Sequence, residues 1–450
     1  MRIGIVNWSL LETKGGIERF CCNLAGVMGT KGHSATLFCK AGKSPDARPT
    51  YPVPEKVPLI PLDLDYGTLD LTPAKTAIVS SGIDVLVACF SWESLLWFPS
   101  LLKGTGIPLV ISERNHPELI NNKWNAYERN ACLSAADQIH ILLEQFLPLY
   151  SEELRGLVTA IPNPVAPLDT VIKKAAGTRR TLLGVGRFSE SVKQFSLLLE
   201  AFALLADDFP DWDLRICGDG DAFAQYSRWV SASGLGERIS LPGRVENVAE
   251  EYAHADIFCI PSRYEGFGQV TTEAQQFALP VVGFRDCSGT NSIVVHEENG
   301  FLAEAMTPAC LAGYLALLMR DAALRTRLGQ RGKEMLLRYD PQTVYGAWET
   351  LLLKAAAVKG HTRLQSVEQG GKESGPLMEI LNRPHPFDRH TYLAMHRACR
   401  TAGEPSPFSE SHIAGFRKKM KRFGLSGKKL YMRKFTSWFG GLFSLKPSRM

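Results

Sequence analysis

No stretch of the 450-residue sequence reaches the roughly 20 consecutive apolar residues that a bilayer-crossing helix requires. No membrane-spanning segment is therefore expected. The opening run Met1-Arg2-Ile3-Gly4-Ile5-Val6 passes into polar Glu12, Thr13 and Lys14 without a small-residue cleavage site, so it reads as a first strand rather than a secretory leader. Cysteine is thinly spread. Of the ten, only Cys21 and Cys22 are adjacent, and no paired spacing fits a zinc site or a disulfide framework. A reducing cytoplasmic setting follows. A dinucleotide fingerprint is also missing, because Gly184-Val185-Gly186 has no third glycine, which counts against a dehydrogenase. Asp63-Leu64-Asp65 and Asp211-Trp212-Asp213 match a bare Asp-x-Asp string that recurs by chance in acidic loops, and His385, His390 and His396 have no partner ligands at useful spacing. No metal is expected, and no cofactor. No internal repeat of fixed period is present.

What the chain does have is enough length, with 45% hydrophobic and 22% charged residues, to bury two ordinary cores with some sequence left over. Its net charge of +5 is unevenly placed. Residues 417–450 carry eleven Lys or Arg and no Asp or Glu, leaving the rest with 40 basic against 46 acidic residues. The body is acidic and the tail strongly basic.

Short apolar runs at 2–6, 34–38, 85–88, 108–111 and 138–141 alternate with helix-like segments, the pattern of βαβ units around a parallel sheet. Ile161-Pro162-Asn163-Pro164-Val165-Ala166-Pro167 breaks it, since three prolines and an asparagine forbid helix. The alternation restarts with strands at 181–186, 213–217, 239–241, 257–260 and 281–284. Two Rossmann-like halves are expected, at 1–165 and 178–340. A closing helix at 341–358 follows, then a loosely ordered connector at 359–410 with a short helix near 392–399, and a basic aromatic tail at 411–450.

In the second half, Arg187 follows a strand end and Lys193 stands at the expected start of a helix, two cations suited to a diphosphate. Taken alone, such a pair reads sooner as solvated loop charge than as a ligand site. The context is Glu265-Gly266-Phe267-Gly268-Gln269-Val270-Thr271-Thr272-Glu273, where glycines permit close backbone approach and a helix beginning near Gln269 would present its free N–H groups to a phosphate. Glu265 and Glu273 would then flank that site, positioned for sugar and ribose hydroxyls. Glu273 alone is also explained by the favourable position of a carboxylate near a helix N-terminus.

With these residues in view, residues 1–358 resemble the retaining glycosyltransferases of family 4, which have the α/β GT-B fold of two facing Rossmann-like domains across a deep cleft. Five motifs carry the resemblance: Gly15-Gly16-Ile17-Glu18-Arg19, Ile161-Pro162-Asn163-Pro164-Val165, Gly186-Arg187 with Lys193, Gly218-Asp219-Gly220-Asp221, and the Glu265/Glu273 pair. The resemblance implies that Arg187 and Lys193 hold the donor diphosphate, that Glu265 binds donor-sugar hydroxyls and that Glu273 binds the ribose. It further implies that backbone amides of Phe267, Gly268 and Gln269 reach the sugar or phosphate and that Gly16 completes the cradle from the first half. Arg244, Val245 and Asn247 stand where such enzymes contact the base. Arg114, Asn115 and His116, after the strand at 108–111, are acceptor-side candidates. His116 departs from the Asp found there in many members, and a lone loop histidine also reads as structural. The Arg285-Asp286-Cys287-Ser288-Gly289-Thr290-Asn291 segment resembles a loop of members that use UDP-hexoses or UDP-N-acetylhexosamines.

The expected activity is a retaining, metal-independent transfer of a sugar from a nucleotide-sugar, a UDP-sugar by preference, to a glycan or lipid-linked acceptor in surface-polysaccharide synthesis. The alternatives are a UDP-sugar epimerase of the same architecture and a scaffold that has lost turnover. In the tail, Phe416, Phe423, Tyr431 and Phe435 interleave with cations and Trp438, Phe439 and Phe443 follow, which suits an anionic membrane surface; the alternatives are a disordered solvated tail and nucleic acid, against which the acidic body argues. A cytoplasmic protein peripheral on the inner membrane is therefore expected.

Overall fold

The computed structural model describes residues 1–11, 15–40, 49, 51–62, 71–90, 97–123, 126–166, 179–369 and 377. The expected helix near 392–399 and the tail lie outside them. Two wholly parallel sheets form within the unit Met1–Asn122 with Ala126–Pro386.

The first sheet comprises β1 (Arg2–Val6), β2 (Ser34–Lys40), β3 (Leu59–Leu62), β4 (Val85–Phe90), β5 (Leu109–Glu113), β6 (Gln138–Ile141) and β7 (Val158–Ala160), in the order β3-β2-β1-β4-β5-β6-β7. The second comprises β8 (Arg180–Val185), β9 (Trp212–Cys217), β10 (Ile239–Gly243), β11 (Ile257–Ile260), β12 (Val281–Phe284) and β13 (Gly300–Ala303), in the order β10-β9-β8-β11-β12-β13. Central strands such as Ile257–Ile260 and Val281–Phe284 are buried along their whole length. Strands covered by helices on both faces have to be apolar throughout, which explains why they read as unbroken apolar runs.

In each sheet the strand order reverses once, between β1 and β4 and between β8 and β11. A crevice opens outside the carboxyl ends of the strands at such a reversal, and ligands bind there in open parallel sheets. Here the segments leaving β1, β8 and β11 lead to Gly16, Arg187 and Glu265. The topology thus selects the same residues as the motifs.

The closing helix, Pro341–Ala356, packs into the core of the first half. Asp340 caps it, accepting the Thr343 N–H at 2.9 Å, and Pro341 occupies its first position, where a missing N–H costs nothing. Trp348 is fully buried, its ring centroid 5.1 Å from that of Phe20 and 4.3 Å from that of His140. Burial and the nearby Arg114 push the His140 pKa well below its usual value. His140 is therefore neutral, accepting from Ser112 Oγ at Nδ1 (2.9 Å) and donating from Nε2 to the Ile161 carbonyl (2.8 Å).

The connector expectation for residues from 359 onward needs correction. A further helix, Arg363–Glu368, is docked there, with Leu364 and Val367 buried and the Arg363 N–H donating to Asp137 Oδ1 at 2.8 Å. Its start is a reciprocal capping box between Thr362 and Gln365, a local signal strong enough to order the segment against the first half. Lys359 reinforces it through Asp84 Oδ1 at 2.8 Å. Among the described residues, no helix is long and apolar enough to cross a membrane.

Candidate functional site

Lys193 and Glu265 meet directly. Lys193 Nζ lies 2.5 Å from Glu265 Oε1, and the same oxygen accepts from Ser262 Oγ at 2.7 Å. Both side chains are largely enclosed, 15% and 10% exposed, so the pair is little screened by water. Lys193 precedes the helix Phe195–Leu205 rather than opening it as expected. Gln194 between them is left-handed, φ 48°, and the Arg263 N–H donates to the Val192 carbonyl at 2.8 Å, tying the lysine turn to the glutamate loop.

Arg187 is exposed, and the loop that presents it rests on the Gly218-Asp219-Gly220-Asp221 motif. A Cβ on Gly218 would fall 1.8 Å from the Gly186 carbonyl and one on Gly220 2.4 Å from that of Phe188. The two glycines let the strands' loops stack backbone to backbone, and the Phe188 N–H donates to the Asp219 carbonyl at 2.9 Å. This motif therefore supports the arginine loop.

Gly268, left-handed at φ 84°, caps the motif helix Gln269–Gln276, as expected for a helix beginning near Gln269. Phe267 is buried edge-on against Tyr339 at 5.1 Å, so its backbone alone is available to a ligand. Glu273, the fifth residue of the motif helix, accepts from Tyr252 Oη at 3.1 Å through Oε2 and lies 3.8 Å from Arg19 Nη1 through Oε1. Desolvation raises its pKa above the usual carboxylate value. Across the cleft, Gly16 begins the first helix, Gly16–Thr30, and a Cβ there would fall 2.1 Å from Gln269 Oε1. Gly16 and the motif helix are thus in contact.

Arg244 and Asn247 are exposed beyond the end of β10, and Val245 packs partly against the core. Asn247 stands at the N-cap of the helix Val248–His254, its Nδ2 donating to Glu250 Oε1 at 2.7 Å. The structure does not bring these three into contact with the Lys193/Glu265 pair.

The acceptor-side expectation changes for Arg114. Its side chain is buried rather than turned to the cleft, lying over the Phe20 ring at 3.6 Å and donating to Asn163 Oδ1. Asn115 remains partly exposed. The backbone of Arg114 and Asn115 abuts the opposite half, where a Cβ on Gly266 would fall 2.6 Å from the Arg114 carbonyl. His116 is buried, edge-on to Phe146 at 4.8 Å and 5.3 Å from Tyr264, the neighbour of Glu265. Burial lowers its pKa. It is a packed element of the cleft wall, with its Nδ1 accepting the Glu118 N–H at 3.2 Å.

A cavity of about 550 Å³ opens beside these residues, bounded by Arg19, Asn163, Gln269, Glu273 and Tyr345 among others. Lys193 and Glu265 lie outside its lining. Among the described residues, no group of three or more His, Cys, Asp or Glu is arranged to hold a metal ion. Asp213 of the discounted Asp-x-Asp string pairs with Arg179 and Arg238, and Asp211 with Arg180.

Residue reasoning missed Arg19 and Tyr252. Arg19 follows Gly16 by one helical turn within a motif already singled out, so its spacing was a usable signal. Tyr252 reaches Glu273 from a separate helix, and only the tertiary fold reveals it.

Residues 169–335 match the family of glycosyl transferases group 1. The chain is 25% identical over 353 residues to an uncharacterized glycosyltransferase of Haemophilus influenzae, covering 76% of this chain and 97% of that one. It is 29% identical over 358 residues to the phosphatidyl-myo-inositol mannosyltransferase of Mycobacterium leprae, covering 76% and 93%. Its fold is shared with Anabaena HepE, solved with UDP-glucose, at a TM-score of 0.62 and 18% identity over 78% of this chain and 99% of that one.

Proposed function

The chain is a glycosyltransferase of the family 4 type built on the GT-B fold, and from that premise we propose that it transfers a hexose from a UDP-sugar with retention and without a metal ion. The observation that carries the reading is the enclosed Lys193–Glu265 pair beside the capped start of the motif helix, facing Gly16. In this reading Lys193 and Arg187 neutralise the departing diphosphate, while the first-turn amides at Gln269 supply fixed dipoles. Glu265 aligns the donor sugar through its hydroxyls, and the contact with Lys193 fixes its side chain for that task. Glu273 binds the ribose, with Tyr252 holding its second oxygen.

Retention then proceeds by front-face attack, the leaving phosphate taking the acceptor proton, and requires no protein nucleophile. The solved neighbour with UDP-glucose supports a UDP-sugar. The relative that acts on phosphatidyl-myo-inositol supports a lipid-linked acceptor, and the basic aromatic tail at 411–450 supports docking of the enzyme on an anionic membrane from the cytoplasmic side.

The test is a nucleotide-sugar panel with purified protein, read as binding and then as transfer or hydrolysis with and without EDTA. The expected outcome is EDTA-insensitive turnover of one UDP-sugar, with Lys193→Ala and Glu265→Ala each lowering kcat by on the order of a hundredfold or more. Absence of binding by any UDP-, GDP- or ADP-sugar would remove the reading. Inversion at the anomeric carbon would remove retention alone.

A further inference from the structure

We propose that Arg19 is the first half's own contact to the donor diphosphate, and that donor binding draws it away from Glu273. The proposal rests on the donor-site reading of Lys193 and Glu273. Gly16 and Arg19 are three residues apart on the first helix and share one face, the face that meets the motif helix. The Arg19 guanidinium now lies against Glu273, and because side chains on a helix lean toward its N-terminus, a change of rotamer would carry it back toward Gly16, where the diphosphate would lie.

The present partner of Arg19 is a weak one. Nη1 lies 3.8 Å from Glu273 Oε1, beyond hydrogen-bond length, and the two side chains are 54% and 30% exposed. Glu273 is held firmly only through Oε2, by Tyr252 of its own half. Its Oε1, the oxygen left for a ribose hydroxyl, faces a cation from the opposite half. An arginine fork matches two phosphate oxygens better than one distant carboxylate oxygen. Exchange of Arg19 from Glu273 to the diphosphate would free Oε1 for the ribose and pull the first half onto the donor in one step. It would also explain why an exposed arginine stands at the wall of the cavity that Gln269 and Glu273 share.

The test is calorimetric titration of UDP and UMP, repeated with GDP and GMP, into full-length wild-type protein, Arg19→Ala, Arg19→Lys and Lys193→Ala. Arg19→Ala is expected to weaken the diphosphate by about tenfold, to weaken the monophosphate less, and to leave the nucleotide-free melting temperature unchanged. Arg19→Lys should recover part of the loss. If Arg19→Ala binds UDP and GDP as wild type does while Lys193→Ala binds them weakly, the proposal is overturned and the donor site stands. Equal losses for diphosphate and monophosphate would also overturn it, because the contact would not be to the diphosphate. If neither substitution alters binding, the donor-site reading itself fails and takes the proposal with it.

Discussion

At the scale of the residue, the donor-site role proposed for Glu273 would work against stability. Its folded pKa is raised by burial, so the unfolded chain ionises first as pH rises. Stability is then highest below the unfolded carboxylate value of about 4.3 and is lost as pH rises through the folded value. Once ionised in the folded chain the carboxylate therefore opposes folding, with the Tyr252 hydrogen bond offsetting part of the penalty. Glu273→Gln should raise the melting temperature at pH 7.5, shrink that gain at pH 4, and weaken UDP binding. Thermal melts at both pH values with parallel titrations would check it, and a lower melting temperature at pH 7.5 would contradict the argument. The residue types at this site were legible in the sequence because Glu265 and Glu273 flank a glycine loop. What each one touches was not, because Ser262, Tyr252 and Arg19 reach them from a turn and two separate helices.

At the scale of the element, the two glycines at the cleft make different demands. A Cβ on Gly16 would meet only the end of the Gln269 side chain, which can swing aside, whereas one on Gly266 would meet the Arg114 carbonyl, which cannot move without the loop. Gly16→Ala should therefore act mainly on the donor KM, where the new methyl would crowd the proposed phosphate cradle. Gly266→Ala should hold the halves apart and lower kcat on the order of a hundredfold, since misplacement by about 1 Å has that effect on an aligned reaction. Steady-state kinetics separates the two, and equal effects of both variants on KM alone would refute the distinction. The elements themselves were unevenly legible. Buried central strands read plainly as apolar runs. The strands that were not read, β3, β7 and β13, all lie at sheet edges. β3 contains Pro61 and buries one residue, β7 has three residues and none fully buried, and β13, though buried, begins at Gly300; at an edge a strand needs neither the length nor the uniform apolarity of one covered on both faces.

At the scale of the whole molecule, sequence order and spatial membership part company. The acidic body should be repelled by an anionic bilayer, so any attraction must come from the tail. Deleting residues 411–450 should abolish sedimentation with phosphatidylserine vesicles, and in the full-length protein that binding should fall as salt is raised; undiminished binding after deletion would place the membrane contact elsewhere. The closing helix makes the complementary case. It follows the second half in sequence yet supplies Val344, Tyr345, Trp348, Leu351, Leu352 and Ala355 to the core of the first. Its presence was readable, but nothing local says which half a helix will cover, because any apolar face can satisfy it. Trp348 sits between Phe20 of the first helix and His140 of β6, with no exposed surface. Trp348→Ala would leave a cavity there and should destabilise the fold by about 3–5 kcal/mol, a loss that neighbouring side chains can only partly refill. The unfolding should begin in the first half although the substitution lies after the second. Hydrogen exchange would read this directly: protection should fall first in β1, β4 and β6, while β8, β9 and β11 stay protected. Loss beginning in the second sheet would mean that the closing helix belongs energetically to the half it follows.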